Sequence, residues 1–504
     1  MTSQSSQHHK ETREIARGAF INLIGNFGKL SHFAFDLIAT RVLGQTLFGY
    51  FSTTWLLMHL SFIVCYFGAH RLVIDFVVRY KDTDEDEYYK SILGYIILSL
   101  GLSAFLVLNV YLFADHLAAY MGKPPVADYM KIMVWCAPFY CLTTILMTAT
   151  RGLKIMKLWV FIRNGFEPLV DLILLLVVFF VFGSIAAPFW AKMIAFTLGS
   201  GLSIYYFRKH FSMRRIFSHL PDGSTWKRIF SFGFPVMFAD FISVVILKVE
   251  IIPLSILVPS AQVAVFQVIL NTGNTMRNIP QAIDPIMMPV VVAMRQRNDM
   301  RALEGIFATL IRSSLFLACG FFVLTTIYGD FLLRIFADEF AYAAGALSIV
   351  CFGMMIHTVT SNIEPVLVMS GYPYLNLFNN VFLVAVSMTL DFILIPTYGI
   401  FGAAIGNLTG CLLTAALQIA EVHLILKIRP FRRDLLHIVW IGLGCYIIFK
   451  GLDFLFPAWT DLLIYDIICV CIFTAFYLYV GWKLFLHDEE RILFSSMIHK
   501  PQSE

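Results

Sequence analysis

The sequence predicts an all-α polytopic membrane protein with about 14 transmembrane helices, arranged as two pseudo-symmetric six-helix bundles followed by two C-terminal helices. Three observations predict it. Apolar residues make up 59% of the 504 residues and charged residues 14%, against roughly 45–50% and about 25% in soluble domains. Apolar runs of about 20 residues, the length that crosses a bilayer, recur from Gly18 to Phe485. The longest polar interruption in the body of the chain, Arg208 to Arg228, falls near its middle and carries six Lys and Arg side chains around a Pro221-Asp222-Gly223 turn.

In order, the expected spans of the first half are 18–40, 47–69, 91–114, 127–150, 158–182 and 185–207. The second half repeats the set over 229–257, 261–294, 303–327, 341–369, 373–395 and 399–426, and two more follow at 434–456 and 461–485. The segment 261–294 holds Pro280, Pro285 and Pro289, so a kinked or broken helix is expected there. The domain reading is a cytoplasmic tail over 1–17, a bundle over 18–207 and a cytoplasmic basic hinge loop over 208–228. A second bundle follows over 229–426, then two additional helices over 427–485 and a cytoplasmic tail over 486–504.

Charge orients this scheme. With the N-terminus inside, most Lys and Arg fall in inside loops or tails, and only Arg41, Lys123 and Arg334 fall in outside loops. Both termini are therefore expected to be cytoplasmic. The net charge of +4 reads as a topology signal, and nucleic acid is not an expected partner. The acidic run Asp82 to Glu87 is expected to be a solvated loop face. Outside loops are too short for an extracytoplasmic catalytic or receptor domain. The nine cysteines sit in apolar segments without metal-ligand spacing to His, and are expected to be small buried hydrophobes with no disulfides and no metal site.

The chemistry lies in the ionisable residues within the spans. A charge at the bilayer centre costs about 2.5–3.5 kcal/mol on insertion scales, so these groups must face a wet cavity, pair with one another, or snorkel near a span end. Lys29, His32 and Asp36 share one face of span one, either as a cavity face with a cation for phosphate or as an intra-bundle ion pair. Arg163, Glu167 and Asp171 share a face of span five, with Arg163 and Glu167 at pairing distance and Pro168 freeing a backbone carbonyl. In span seven, Lys248 and Glu250 are two apart and, on a regular helix, point to nearly opposite sides; Lys248 is the better cavity candidate. Span eight carries Asn271, Asn274, Asn278 and Gln281 on one stripe with Arg277 beside it, amides that suit sugar hydroxyls or plain interhelical hydrogen bonds. Lys192, Arg312, Glu364, Asp391, Glu421 and Lys450 are expected to snorkel or pair locally. His59 and His357 are expected to be satisfied packing residues. There is no phosphate-binding Gly-rich loop ahead of a Lys, no zinc spacing and no nucleophile triad, so no catalytic residue is assigned.

The halves echo each other: Arg151-Gly152 and Phe182-Gly183 are matched, at the same separation, by Ser370-Gly371 and Phe401-Gly402. Such repeats place a substrate path at the interface between bundles. The opening, RGAFINLIGNFGKLSHFAFDLIATRVLGQTLFGYFS, contains an R-x-LG-x-x-x-FG turn at Arg41, Leu43, Gly44, Phe48 and Gly49. Together with Phe232 to Phe241 (FGFPVMFADF) and Leu394 to Gly406 (LIPTYGIFGAAIG), it resembles the bacterial polysaccharide-export flippases. These belong to a wider group with lipid-linked oligosaccharide flippases and the multidrug and toxin extrusion exporters. The resemblance covers residues 15 to 430. It departs from the family pattern in span seven, where an Asp is usual and this chain offers Glu250 downstream of Asp240.

The resemblance implies two bundles forming a V, a cavity that opens alternately to each side, and location in the cell inner membrane. It implies a polyprenyl-(pyro)phosphate-linked glycan as cargo, with polysaccharide assembly proteins as further partners. On that reading Lys29, Arg163, Lys248, Arg277, Asn274 and Asn278 meet the substrate. Asp36, Glu167, Asp171 and Glu250 are the candidates for coupling to a proton or sodium ion, and no other cofactor is expected. Rival readings are an exporter of cationic drugs, whose cavity should be dominated by carboxylates, and a membrane glycosyltransferase or polymerase, which needs sizeable outer loops.

Overall fold

The computed structural model describes residues 2–80, 84–280, 300–364, 367, 372–426, 435–455 and 463–484, with the backbone alone before Leu30. Among them the chain is helical with no strand, and eleven helices are long and apolar enough to cross a membrane. Three expected spans account for the difference from fourteen. The first two run together as one helical stretch. The sixth is a full 21-residue helix, Ala187–Phe207, that carries Lys192 and several Ser and Gly. The eighth continues beyond the described residues. The chain divides into two compact units, Met1–Ala264 and Val265–Glu504.

In the first unit α1, Thr2–Tyr66, is broken once, at Gly44, whose φ of 76° and ψ of 166° separate the first span from the second. A side chain strains that backbone, so glycine belongs there. A second turn, at Phe67 and Gly68 with positive φ, leads into α2, Ala69–Tyr80. The helix α3 covers Glu85–Tyr120. The fourth span is split into α4, Pro125–Met133, and α5, Cys136–Gly152, because Pro138 has no N–H to continue the ladder across the junction. Next come α6, Met156–Trp159, a π-helical turn over Val160–Phe166, and α7, Glu167–Phe182. Then follow α8, Ala187–Phe207, α9, Met213–Ser218, and α10, Gly223–Leu247. The short α11 covers Ile251–Leu257, and α12, Ser260–Asn274, starts in this unit. Buried Phe76, Tyr95, Ile145, Phe207 and Ile229 knit α2, α3, α5, α8 and α10 at one end of the unit. Large side chains on the opposite faces, such as Phe105, Phe180 and Phe234, are exposed, the surface a helix presents to lipid rather than to water.

The basic loop and the acidic run meet. Asp84 accepts the Glu87 N–H and caps α3, Asp86 lies 3.0 Å from His219, and Glu87 lies 2.8 Å from Arg228. The run is therefore in part a docking face rather than a purely solvated loop. Opposite it, Asp222 caps α10 by accepting from the Thr225 N–H at 2.8 Å, and receives Lys90 at 3.3 Å. The Thr225 N–H and the hydroxyls of Ser224 and Thr225 hold its carboxyl well below the usual range. A carboxyl depressed on folding stabilises fully above the unfolded value of about 4 and loses that contribution progressively as pH falls from there through its lower folded value. Asp222→Ala should thus unfold at lower temperature at neutral pH, with the gap to the parent closing below about pH 4 in a pH series of melting curves.

At the other end of the unit Lys123, between α3 and α4, is 4% exposed and donates from Nζ to the Ser255 carbonyl at 2.7 Å. Burial pulls its amine down to about 8. Thr53 Oγ1 lies 3.4 Å from Ser255 Oγ, so α11 is pinned from two sides.

In the second unit, α12 gives way to a 3₁₀ turn at Thr275–Arg277, just ahead of Pro280. Pro285 and Pro289 lie outside the described residues. Then follow α13, Met300–Ile327, α14, Gly329–Arg334, and α15, Ala344–Thr360. They are succeeded by α16, Pro373–Tyr398, and α17, Ile400–Glu421. The last two helices, α18, Leu435–Leu455, and α19, Leu463–Leu484, pack on α13. Tyr477 stacks on Phe316 at 4.6 Å and donates its hydroxyl to the Phe316 carbonyl at 2.8 Å. On α17, Gly402, Gly406 and Gly410 face the Leu394 backbone, Asp391 and Ser387 of α16. Small residues four apart let two helices approach this closely. Eight of the nine cysteines are buried, whereas Cys471 is exposed on α19.

Candidate functional site

A cavity of about 330 Å³ opens inside the first unit. Its polar wall begins with the π-helical turn. Pro168 has no N–H to give, and the Glu167 N–H bonds back five residues to the Ile162 carbonyl, so the turn widens; such turns recur at functional sites. The widened turn carries Arg163 and hands over to α7, which carries Glu167 and Asp171. All three line the cavity.

Arg163 makes three hydrogen bonds and a ring contact. It donates to Glu167 Oε2 at 2.7 Å, to the Tyr140 carbonyl at 3.1 Å and to Thr144 Oγ1 at 2.6 Å. Its guanidinium lies 3.8 Å from the centroid of the Tyr140 ring. Lys192, on α8, lies 2.5 Å from Asp171 Oδ2 and about 5 Å from the ring centroids of Phe35 and Trp55, at 4.8 Å and 5.0 Å. Glu167, Asp171 and Lys192 are 4%, 2% and 6% exposed. Each carboxylate spends one oxygen on its cation; Glu167 Oε1 and Asp171 Oδ1 are buried with no hydrogen-bond partner among the described residues. The other walls are aromatic planes, including Trp55, Tyr140, Trp159 and Phe196. His32 of α1 joins them, and His59 stacks on Trp55 with ring centroids 5.4 Å apart. The cavity thus offers two cations matched by two anions, two orphan acceptor oxygens and flat apolar faces.

Of the residues expected to form a site, Arg163, Glu167 and Asp171 come together here. The Lys29 side chain lies outside the described residues. Asp36 and Glu250 are both within electrostatic reach of Lys248, as is His59. The helix ends at Leu247 and Lys248 takes a non-helical φ of −133°, so the opposite-face argument for Lys248 and Glu250, which needs a regular helix, does not hold. Glu250 is 3% exposed at the start of α11. Asn274, Arg277 and Asn278 lie in the second unit, where Arg277 sits within electrostatic reach of buried His357. Asn271 accepts from Gln267 at 2.8 Å, Asn274 Oδ1 is buried without a hydrogen-bond partner among the described residues, and Asn278 is exposed. Gln281 is outside the described residues.

Lys192, expected to snorkel or pair locally, does pair, as the buried partner of Asp171 on the neighbouring helix; its place in the cavity wall was not expected. Asp391 and Glu421 are likewise buried, and Glu421 accepts from Asn379 at 2.7 Å. The Nδ1 of His357 is buried with no hydrogen-bond partner among the described residues, so it is not the satisfied histidine expected.

Solved structures share this fold. The lipid II flippase MurJ, in an inward closed conformation, aligns with a TM-score of 0.69 at 16% identity, covering 95% of this chain and 100% of that one. A multidrug resistance MATE family transporter of the MOP superfamily, inward-facing, gives 0.64 at 15% identity over 79% and 94%. A MOP superfamily transporter from Pyrococcus furiosus gives 0.53 at 16% over 81% and 94%. Identity this low speaks for the fold alone. No match is found among curated proteins. The model of the family described as polysaccharide biosynthesis protein matches residues 15–294, more than half of the sequence, and the chain belongs to that family.

Proposed function

We propose that the protein is a flippase that carries a lipid-linked saccharide across the cytoplasmic membrane by alternating access, with its termini in the cytoplasm. The cavity of the first unit carries this reading. Aromatic planes and orphaned carboxylate oxygens beside fixed cations suit the flat apolar faces and donating hydroxyls of a sugar. Family membership points to polysaccharide assembly, and the structural neighbour that flips a lipid-linked substrate supports the same class. A polyprenyl tail would stay in the bilayer while the head group crosses. Moving anionic charge outward is favoured by an inside-negative potential, about 2.3 kcal/mol per charge per 100 mV. The cavity argues against a cationic drug as cargo, because Glu167 and Asp171 are each already matched by a cation.

Deleting the gene in its host and profiling lipid-linked saccharides by mass spectrometry tests this. One polyprenyl-linked glycan should build up on the cytoplasmic face. An unchanged pool, accompanied by heightened sensitivity to cationic dyes, would overturn the proposal in favour of a drug exporter.

A further inference from the structure

A second pocket, of about 510 Å³, adjoins the cavity and is lined by His70, Arg71, Ile74, Asp75, Val78 and Arg151. His70 lines both spaces. We propose that this outer pocket docks a phosphate or diphosphate group, so that the anionic and saccharide parts of one head group occupy separate, adjoining compartments. The inference rests on the flippase reading and adds to it where the phosphate sits.

Charge matching separates the two spaces. In the inner cavity Arg163 pairs with Glu167 and Lys192 with Asp171, so an anion there would have to displace a buried carboxylate. The outer pocket has a cation to spare. Its Asp75 is matched by Arg79 at 3.2 Å. Buried Asp240 is matched by Arg71 at 3.2 Å, with His70 at 3.3 Å on its other oxygen. Arg151 has no carboxylate partner among the described residues. Its guanidinium rests over the Trp159 ring, 5.0 Å from the centroid; a stacked guanidinium keeps its in-plane N–H groups for a ligand. That planar fork matches two phosphate oxygens at once. Arg71 and Arg151 both lie within electrostatic reach of His70, and Arg71 is 63% exposed, so a second guanidinium stands at the same mouth. Trp159 belongs to the inner cavity wall. The Arg151–Trp159 stack is therefore the seam at which phosphate chemistry gives way to sugar chemistry.

The test uses the full chain in phosphatidylcholine nanodiscs, with farnesyl diphosphate as the probe and inorganic pyrophosphate and phosphatidylglycerol as competitors. Arg151→Gln should weaken farnesyl diphosphate binding about tenfold or more, the effect of losing one charge-assisted contact. Arg151→Lys should weaken it less, and a melting curve for each variant checks that it is folded. Competition by pyrophosphate, lost in Arg151→Gln, identifies the phosphate group as what is recognised. Displacement by phosphatidylglycerol alone would overturn the proposal in favour of a bulk-lipid contact. Unchanged affinity in folded Arg151→Gln, or no diphosphate binding by the parent, overturns it as well. The deletion strain separates the two readings. If it accumulates a lipid-linked saccharide and a folded Arg151→Gln clears it with parental affinity, the docking site falls and the flippase stands. If neither binding nor accumulation appears, both fall.

Discussion

Replacing Lys192 by Met is expected to lower the stability of the protein by about 3 kcal/mol, the usual cost of stranding one member of a buried ion pair. The substitution keeps most of the side chain's volume and removes its charge. Asp171, 2% exposed with one oxygen already lacking a hydrogen bond among the described residues, would then have no cation among them within bonding distance. Most of the loss should return in the double variant Lys192→Met with Asp171→Leu, because a buried pair replaced by apolar residues is often neutral or better. Denaturant or thermal unfolding of the purified protein, read by tryptophan fluorescence, completes the double-mutant cycle. If the single variant is as stable as the parent, the pair is solvated and the cavity is far wetter than its burial indicates.

The second large effect is expected at Gly402. A β-carbon there would stand 2.5 Å from the Leu394 carbonyl oxygen and 2.8 Å from the Ile395 nitrogen. Both are backbone atoms, which cannot swing aside as the end of a flexible side chain can. Gly402→Ala should therefore push α16 and α17 apart and destabilise by about 1–3 kcal/mol, with Gly402→Val worse. Gly444, on α18, has open space at the same position, and Gly444→Ala should stay within about 0.5 kcal/mol of the parent. Equal effects at the two glycines would mean that the contact between α16 and α17 yields more readily than the geometry implies.

These two sites differ in how visible they were beforehand. Apolar runs located the spans because the bilayer sets their length, and the break at Gly44 falls inside the Arg41 to Gly49 turn pattern. The pairing of Arg163 with Glu167 follows from their spacing, and Pro168 is the local signal for the widened turn. The bond between Lys192 and Asp171 joins two helices across the turn at Gly183, and no spacing rule reaches over such a connection. Trp55, Tyr140 and Phe196 gave no signal either: in a chain that is 15% aromatic, only packing distinguishes a cavity wall from the surrounding core. The end of α10 at Leu247 has no Gly or Pro at its junction, so the placing of Lys248 and Glu250 depended on tertiary contacts.

The lysine that pins α11 has a chemical consequence. An amine pulled down to about 8 by burial holds its proton less firmly than an exposed lysine, and only a neutral amine is a nucleophile. At 4% exposure Lys123 is sealed from acylating reagents, which reach it only when this end of the unit opens and the amine regains an ordinary lysine's reactivity. Its rate of modification would count the moments at which this end of the unit comes apart, a clock for opening that the molecule carries without any added label.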